Sequence, residues 1–524
     1  MQFETIDYAK QVDQTKDFKQ FYGNLSYDQD SLDQVFERPS HPHTKELAEI
    51  MKNDMAKYGL SDQQEENLTK LSNGQKVVIA GQQAGLFMSP SYIIHKIISI
   101  LVVTKEIKEK YKKSVVPVFW VAGEDHDFDE INHTYVYDSY YRRRVKISYK
   151  PNLTVPMSIG FYQYDKEAMK DTLSKIISYI GDSEEIKALQ SKVVKEIEQH
   201  STWTELFHAL VHSTFKEDGL LIFNSHLKEV RELETPIFID MFKSHEALDQ
   251  AFKEGQENYL ETSGNQAVID TETSVHLFTN ASTNRELLQE SDGLYHLDGR
   301  SFTREEILDW INNHPEEFST NVVTRPLMQE SLFNTAVFLG GGAEVKYWAE
   351  IHKTFEVLGL HMPIVLKRME FVHQDRRLTK LLDKYDLKLT TSLNEELSHL
   401  RDDLINTHTN ENVLNKVDKI KEDLLSSFDS LYAETDDYFN DDIIDGNIHQ
   451  HILQLDYLKN RYTVEVKRAL RHELHNLEEI SEKLLPNGVL QERLYHPWQF
   501  SLDNWDYSPL SYTDKLIIIK NKNL

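Results

Sequence analysis

An α/β fold built on a parallel sheet, carrying a long pair of antiparallel helical arms near its C-terminal end, is what this 524-residue chain predicts. Three observations predict it. The segments Val77–Ala80 and Val115–Ala122 are short, β-branched and apolar without alternation, as strands covered on both faces should be. Between them lies Tyr92–Leu101, too apolar for a loop, so strand, helix and strand make a βαβ unit. Finally, residues 364–445 and 447–485 contain neither glycine nor proline, and apolar residues recur there at steps of three and four.

The elements follow in order. The first 70 residues are polar and predict helices, with apolar punctuation at Phe18, Phe21, Tyr22, Val35 and Phe36. The first buried strand ends in Gly81-Gln82-Gln83-Ala84-Gly85, a polar turn that opens the helix, with Pro90 near its first position. The second strand ends at Gly123 and runs into Glu124-Asp125-His126-Asp127-Phe128-Asp129-Glu130. From about Tyr135 to Thr320 the pattern is mixed and predicts inserted structure, with one buried strand at Gly219–Phe223. Strand-and-loop chemistry returns at Ala336–Leu339, followed by Gly340-Gly341-Gly342, and a further strand is expected at Pro363–Leu366. Val413, Val417, Ile420, Leu424, Phe428 and Leu431 mark one arm; Ile452, Leu455, Tyr462, Val466, Leu470 and Leu477 mark the other. The acidic stretch from Asp436 to Asp445, closed by Gly446, is the expected turn between them. The tail beyond Pro486, with Trp498, Phe500, Trp505 and Tyr507, is expected to pack back on the core.

Composition excludes several function classes. Lys and Arg number 58 against 86 Asp and Glu, a net charge of −28, which argues against a general binder of nucleic acid or anionic membranes. The longest apolar stretch, Ile93–Val103, is interrupted by His95, Lys96 and Ser99 and falls short of a membrane span. Met1–Thr5 shows no secretion pattern, so a cytoplasmic protein is expected. There is no cysteine, hence no disulfide, no thiol nucleophile and no zinc site built on thiolates.

Four constellations carry candidate chemistry. In the first turn Gly81 and Gly85 permit close backbone approach, Gln82 and Gln83 supply uncharged amides, and Tyr92 and His95 follow within the helix. The acidic string suits either acid/base work with amine binding or a carboxylate-and-histidine metal site; a solvated acidic turn is the bland alternative. Trp120 stands at the end of the strand before it. Asn321 and Arg325 precede a proline on the approach to the core, where Arg325 can clamp a carboxylate or phosphate. Gly341, Gly342 and Glu344 open a helix whose N–H groups can approach an anion or ribose, although the spacing matches no dinucleotide fingerprint.

The strings GQQAGLFMSPSYIIHK, VPVFWVAGEDHDFDEINH, NVVTRPLMQ, FLGGGAEVKYWAEI and LLPNGVLQER together resemble the bacillithiol-synthesis cysteine-adding enzymes. That resemblance implies a Rossmann-type core similar to class I aminoacyl-tRNA synthetases, with connective insertions and a coiled coil associated with dimerisation. Residues 1–150 and 321–375 would be the halves of the core, 151–320 the insertions, 376–485 the coiled coil and 486–524 the returning tail. It implies a ligase that adds cysteine to the amine of glucosaminyl-malate, using ATP or another adenine nucleotide. Pro90, Tyr92 and His95 would face the nucleotide, Gly341, Gly342 and Glu344 the ribose, and Lys367 and Arg368 would take the place of a mobile lysine loop. The histidine–glycine and lysine–serine strings of those synthetases are absent here. In this reading His126 is the base, Asp125 or Asp127 orients it, and Glu124 belongs to the same catalytic set. The expected partners are cysteine, glucosaminyl-malate and a second copy of the chain, with no nucleic acid and no membrane. Two rival readings are a metal-dependent hydrolase or sugar-processing enzyme using the acidic loop, and a non-catalytic nucleotide-binding scaffold.

Overall fold

The structure, a computed structural model, describes residues 2–8, 15–151, 157–280, 285–393, 396–434, 441–500 and 506–520. Residues 436–440 of the expected turn and Trp505 lie outside them. The chain divides into two units, residues 1–375 with 489–524, and residues 376–488.

In the first unit a short strand, β1 (Gln2–Ile6), stands where only helix was expected, and helices Gln29–Phe36, Thr44–Ala56 and Asp62–Ser72 follow. Then come β2 (Val77–Gln82), the helix Tyr92–Lys110, β3 (Val116–Val121) and a hairpin of β4 (His133–Asp138) and β5 (Arg143–Ser148). β6 (Leu221–Asn224) closes a helical segment. Two small antiparallel sheets use β7 (Leu277–Thr279), β8 (Glu286–Leu287), β9 (Gln289–Ser291), β10 (Leu294–Leu297), β11 (Arg300–Phe302) and β12 (Phe318–Thr320). The remaining strands are β13 (Thr335–Gly340), β14 (Ile364–Lys367), β15 (Glu370–Gln374) and β16 (Leu516–Lys520).

The central sheet has the order β14-β13-β2-β3-β6, and every pairing in it is parallel. Thus β6, read from sequence as part of the insertions, is the fifth core strand. Alternate residues explain the continuous apolarity. Val78, Ala80, Phe119, Val121, Val337, Leu339 and Ile222 enter the core on one face of the sheet. Val77, Ile79, Val118, Trp120, Phe338, Leu221 and Phe223 enter the core on the other. Each of the larger side chains contributes about 1.5–3 kcal/mol when fully buried, which is why apolar residues fill both faces of these strands. The Tyr92–Lys110 helix covers the first face and is buried along most of its length, including His95, Lys96 and Ser99.

The sheet's direction of growth reverses between β13 and β2: β2 leads to β3 on one side, β13 to β14 on the other. In a parallel sheet the crevice outside the carboxyl ends at such a reversal is the usual place for a ligand. A second sheet, β1-β16-β15, joins residues 2–6 to 516–520, so the tail does return to this unit.

The second unit is helical, with helices Arg376–Lys384, Leu389–Ser392, Glu396–His408, Glu411–Tyr432, Asp441–Ala469 and Arg471–Leu484. Lys421 pairs with Asp456 at 3.1 Å and Lys459 with Asp418 at 2.6 Å, a register in which the two long helices run antiparallel. Gly446, expected to close the turn, lies inside the Asp441–Ala469 helix. The stretch without glycine or proline also begins earlier than its helices do, since β14 and β15 occupy its start. No helix among the described residues is long and apolar enough to cross a membrane.

Candidate active site

The turn after β2 folds tightly on itself. A Cβ on Gly85 would lie 1.8 Å from the Ser89 carbonyl oxygen, and one on Gly81 would lie 3.3 Å from Trp120 Cβ. The glycines are therefore needed by the protein's own backbone. What the turn presents is its amides. Gln82 donates to the Tyr92 hydroxyl at 3.1 Å. Gln83 Nε2 donates to Asp125 at 2.5 Å and to Glu130 at 3.0 Å, tying the first turn to the acidic loop at the end of the neighbouring strand. Gln82, Gln83, Tyr92 and Glu130 wall a cavity of about 280 Å³ that also meets Gly85, His133 and Arg493.

A larger cavity of about 770 Å³ lies beside the same loop and is lined by Asp125, His126, Arg285, Asn321, Arg325 and Tyr347, among others. Burial alone would raise the pKa of Asp125, but the Gln83 hydrogen bond, the Arg285 charge and backbone N–H groups outweigh it and hold it below the ordinary value. Asp125 is thus ionised at neutral pH. His126 Nδ1 accepts from Arg285 Nη1 at 2.8 Å, whereas Asp125 Oδ1 stands 3.7 Å away. The expected pairing of His126 with an orienting aspartate is accordingly replaced by a pairing with arginine. Burial and then the Arg285 charge lower the His126 pKa, against the pull of Asp125 and Asp127. Asp127 is exposed at the start of the short helix Phe128–Ile131. Glu124 turns inward to the Ser225 hydroxyl, with Arg231 at 3.9 Å. Arg325 spreads its guanidinium near the rings of Trp120 and Phe338, at 5.8 and 6.0 Å, and donates to Gln329. Asn321 accepts from the N–H groups of Val323 and Thr324, so much of its capacity goes to shaping the turn.

Other predicted residues are placed elsewhere. Trp120 is buried against Phe223 and Phe333 rather than on either cavity wall. His95 is fully buried, with Nδ1 2.6 Å from Glu492, and Arg368 meets the other oxygen of that carboxylate at 2.6 Å. Glu492 also accepts from the Phe371 backbone. Although burial opposes ionisation, Arg368 and His95 hold this carboxyl well below its usual range. His95 and Arg368 therefore anchor the returning tail to the core. Lys367 is likewise buried, donating to Glu370 at 3.0 Å.

At the reversal point itself stands Lys96, which the sequence reading passed over in favour of His95. Its buried ammonium donates to the Gly81 carbonyl, to Gln82 and to Glu344, at 2.8, 2.8 and 2.6 Å. Glu344 also accepts from Gly341 N at 2.6 Å, and Gly342 opens the helix behind it. Two of the groups expected to face a nucleotide ribose, Gly341 and Glu344, are thus bonded to each other. A lysine among the apolar residues of this helix's buried first turns is the signal that could reveal this. Arg285, from the insertion, carries no comparable local signal. Among the described residues no group of three His, Asp or Glu side chains is arranged to hold a metal ion.

Comparison with known proteins adds the family relationship. Residues 4–369 match the family model described as "Bacillithiol biosynthesis BshC, N-terminal Rossmann-like domain", and residues 371–506 match "Bacillithiol biosynthesis BshC, C-terminal coiled-coil domain". The chain is 37% identical over 510 residues to a protein of Staphylococcus carnosus (strain TM300), covering 95% of each. It is 36% identical over 522 residues to one of Staphylococcus saprophyticus, covering 98% of this chain and 97% of the relative. A Staphylococcus aureus relative (strain JH9) is 37% identical over 511 residues, covering 95% of each. All three carry the printed name "Putative cysteine ligase BshC".

Proposed function

From the paired cavities, and because this chain belongs to the bacillithiol biosynthesis BshC family, we propose that it is a ligase that joins cysteine to the amine of glucosaminyl-malate. The observation that carries the reading is the Gln83 bridge. A ligase must hold two reactants side by side, and Gln83, on the wall of the smaller cavity, donates to Asp125, on the wall of the larger one, at the ends of adjacent strands. Proximity of that kind replaces a bimolecular encounter and can supply several kcal/mol of the barrier.

The chemistry follows from the walls. Ionised Asp125, with Glu130 across Gln83, attracts the ammonium of the amine partner, while Arg325 attracts a carboxylate. The ammonium gives one proton to the Asp125 carboxylate, the freed amine nitrogen bonds to the cysteine carbonyl carbon as the activating group leaves with its electron pair, and the second nitrogen proton passes to water. An adenine nucleotide is the proposed source of that activating group. Its place is not assigned to Gly341 and Glu344, which bond to each other and, through Glu344, to Lys96.

The test is direct. Purified protein given cysteine, glucosaminyl-malate and ATP is expected to form a product of bacillithiol mass, seen by mass spectrometry. A Gln83→Ala variant should raise KM more than it lowers kcat, since an amide orients a ligand without exchanging protons. Absence of product from folded protein, together with normal bacillithiol in a strain lacking the gene, would overturn the reading.

A further inference from the structure

Arg285 lies in the inserted region, just before β8, and nothing in the sequence marks it. Its side chain is only 5% exposed. Nε donates to Ser319 Oγ at 3.3 Å and Nη2 to the Thr320 carbonyl at 3.2 Å, both on β12. The guanidinium lies 3.7 Å from the ring centroid of Phe278 on β7. So held, Nη1 reaches His126 Nδ1 at 2.8 Å, and Asp125 Oδ1 lies 3.9 Å away. The His126 ring rests beside Phe278, at 6.0 Å between centroids, and lines the larger cavity.

An arginine has donors and no acceptor, so the nitrogen it meets must offer a lone pair. We propose that Arg285 is a positioning residue that fixes the His126 proton on Nε2, so that His126 serves the ligand as a hydrogen-bond donor and not as a base. This rests on the ligase reading for the identity of the ligand, whose acyl oxygen gains negative charge as the amine attacks. A donor set in place before that charge develops stabilises it without reorganisation. The fork geometry matters: a lysine would supply the charge but not the same fixed direction.

The groups facing His126 agree with this role. Arg285 comes from the insertion, Asp125 and Asp127 from its own loop, Glu124 from behind, and Asp270 and Glu272 from the same cavity wall. Burial and the Arg285 charge outweigh the carboxylates and lower the ring's pKa, so it stays neutral at pH 7.

The experiment is nitrogen NMR of the histidine-labelled full-length protein without ligand, with the His126 signal identified by subtracting the His126→Gln spectrum. The expected result is an unprotonated Nδ1 and a protonated Nε2 at pH 7 to 8. A proton on Nδ1, or protonation of both nitrogens near pH 6.5 as for a free histidine, overturns the proposal. Arg285→Gln should raise the His126 titration midpoint, and Arg285→Lys should restore part of the difference. No movement in a variant that melts like the parent also overturns it. Because these signals need no turnover, they stand apart from the product assay: the tautomer as described with no thiol product would sink the ligase reading alone.

Discussion

At the scale of single residues, the two lysine and arginine positions missed in the sequence organise what the predicted residues do. Lys96 joins the carboxyl end of β2 to the helix after β13 across the reversal point. Burying an ammonium lowers its pKa, an effect that Glu344 partly offsets. Lys96→Met should therefore cost about 3 kcal/mol, the lower end for a broken buried pair because Glu344 remains partly in contact with water. The Lys96→Met, Glu344→Gln double variant should recover part of that loss. Chemical denaturation of the three proteins checks this, and an equal loss in the single and double variants would show that the pair is not the cause. Why was Lys96 legible only in retrospect? A buried lysine is unusual, but which acceptors reach it depends on β2 and β13 lying side by side. Gly85 is the opposite case, being visible at once in the sequence although the close approach it permits is to Ser89.

At the scale of elements, the helices Glu411–Tyr432 and Asp441–Ala469 leave a row of apolar side chains uncovered. Ile420, Leu431, Ile443, Leu453, Tyr457, Leu458 and Val464 are exposed, while only Val417 and Ile444 in the pair are buried. The ion pairs between the two helices are surface pairs and contribute little. An apolar face of this kind in a two-helix hairpin is expected to be covered by a second copy of the chain, giving a symmetric dimer. Light scattering should then report twice the 61.3 kDa of one chain. A monomer mass held across micromolar concentrations would show that the face remains open. Helical arms were legible from periodicity alone, because steps of three and four survive whatever surrounds them. The end of the turn was not: Gly446 has room within its helix, so its flexibility did not break it.

At the scale of the whole molecule, stability should depend on pH with a sign set by buried groups. Burial pushes His208 down to about 4, and His226 and His496 down to about 3. Unfolded histidines protonate near 6.5, so below that pH the unfolded chain binds protons the folded one refuses, and stability falls with acid. Glu234 and Glu330 act oppositely, since burial raises both to about 7 and they favour folding as pH falls from 7. Between pH 6.5 and 4.5 three histidines oppose two glutamates, a net loss on the order of 1 kcal/mol per pH unit. Below 4.5 the glutamates no longer compensate, and the loss should steepen. Thermal melts from pH 7 to 4 check this; a melting temperature that rises on acidification would contradict it.

The sequence by itself determined the parallel core, the helical arms, the family and the two loops that carry the candidate site. The core, the arms and the loops are written in local pattern, as apolar runs, helical steps and polar turns at strand ends, whereas the family came from the resemblance of whole strings. Only the tertiary structure decided that β6 belongs to the central sheet, and that β1 and β16 pair. It also decided that Gln83 bridges to Asp125 and Glu130, that His95 holds the tail, and that Arg285 grips His126. The reason is physical. A hydrogen bond forms between groups that packing brings within about 3 Å, and two residues 159 positions apart, such as His126 and Arg285, share no local pattern from which that distance could be read.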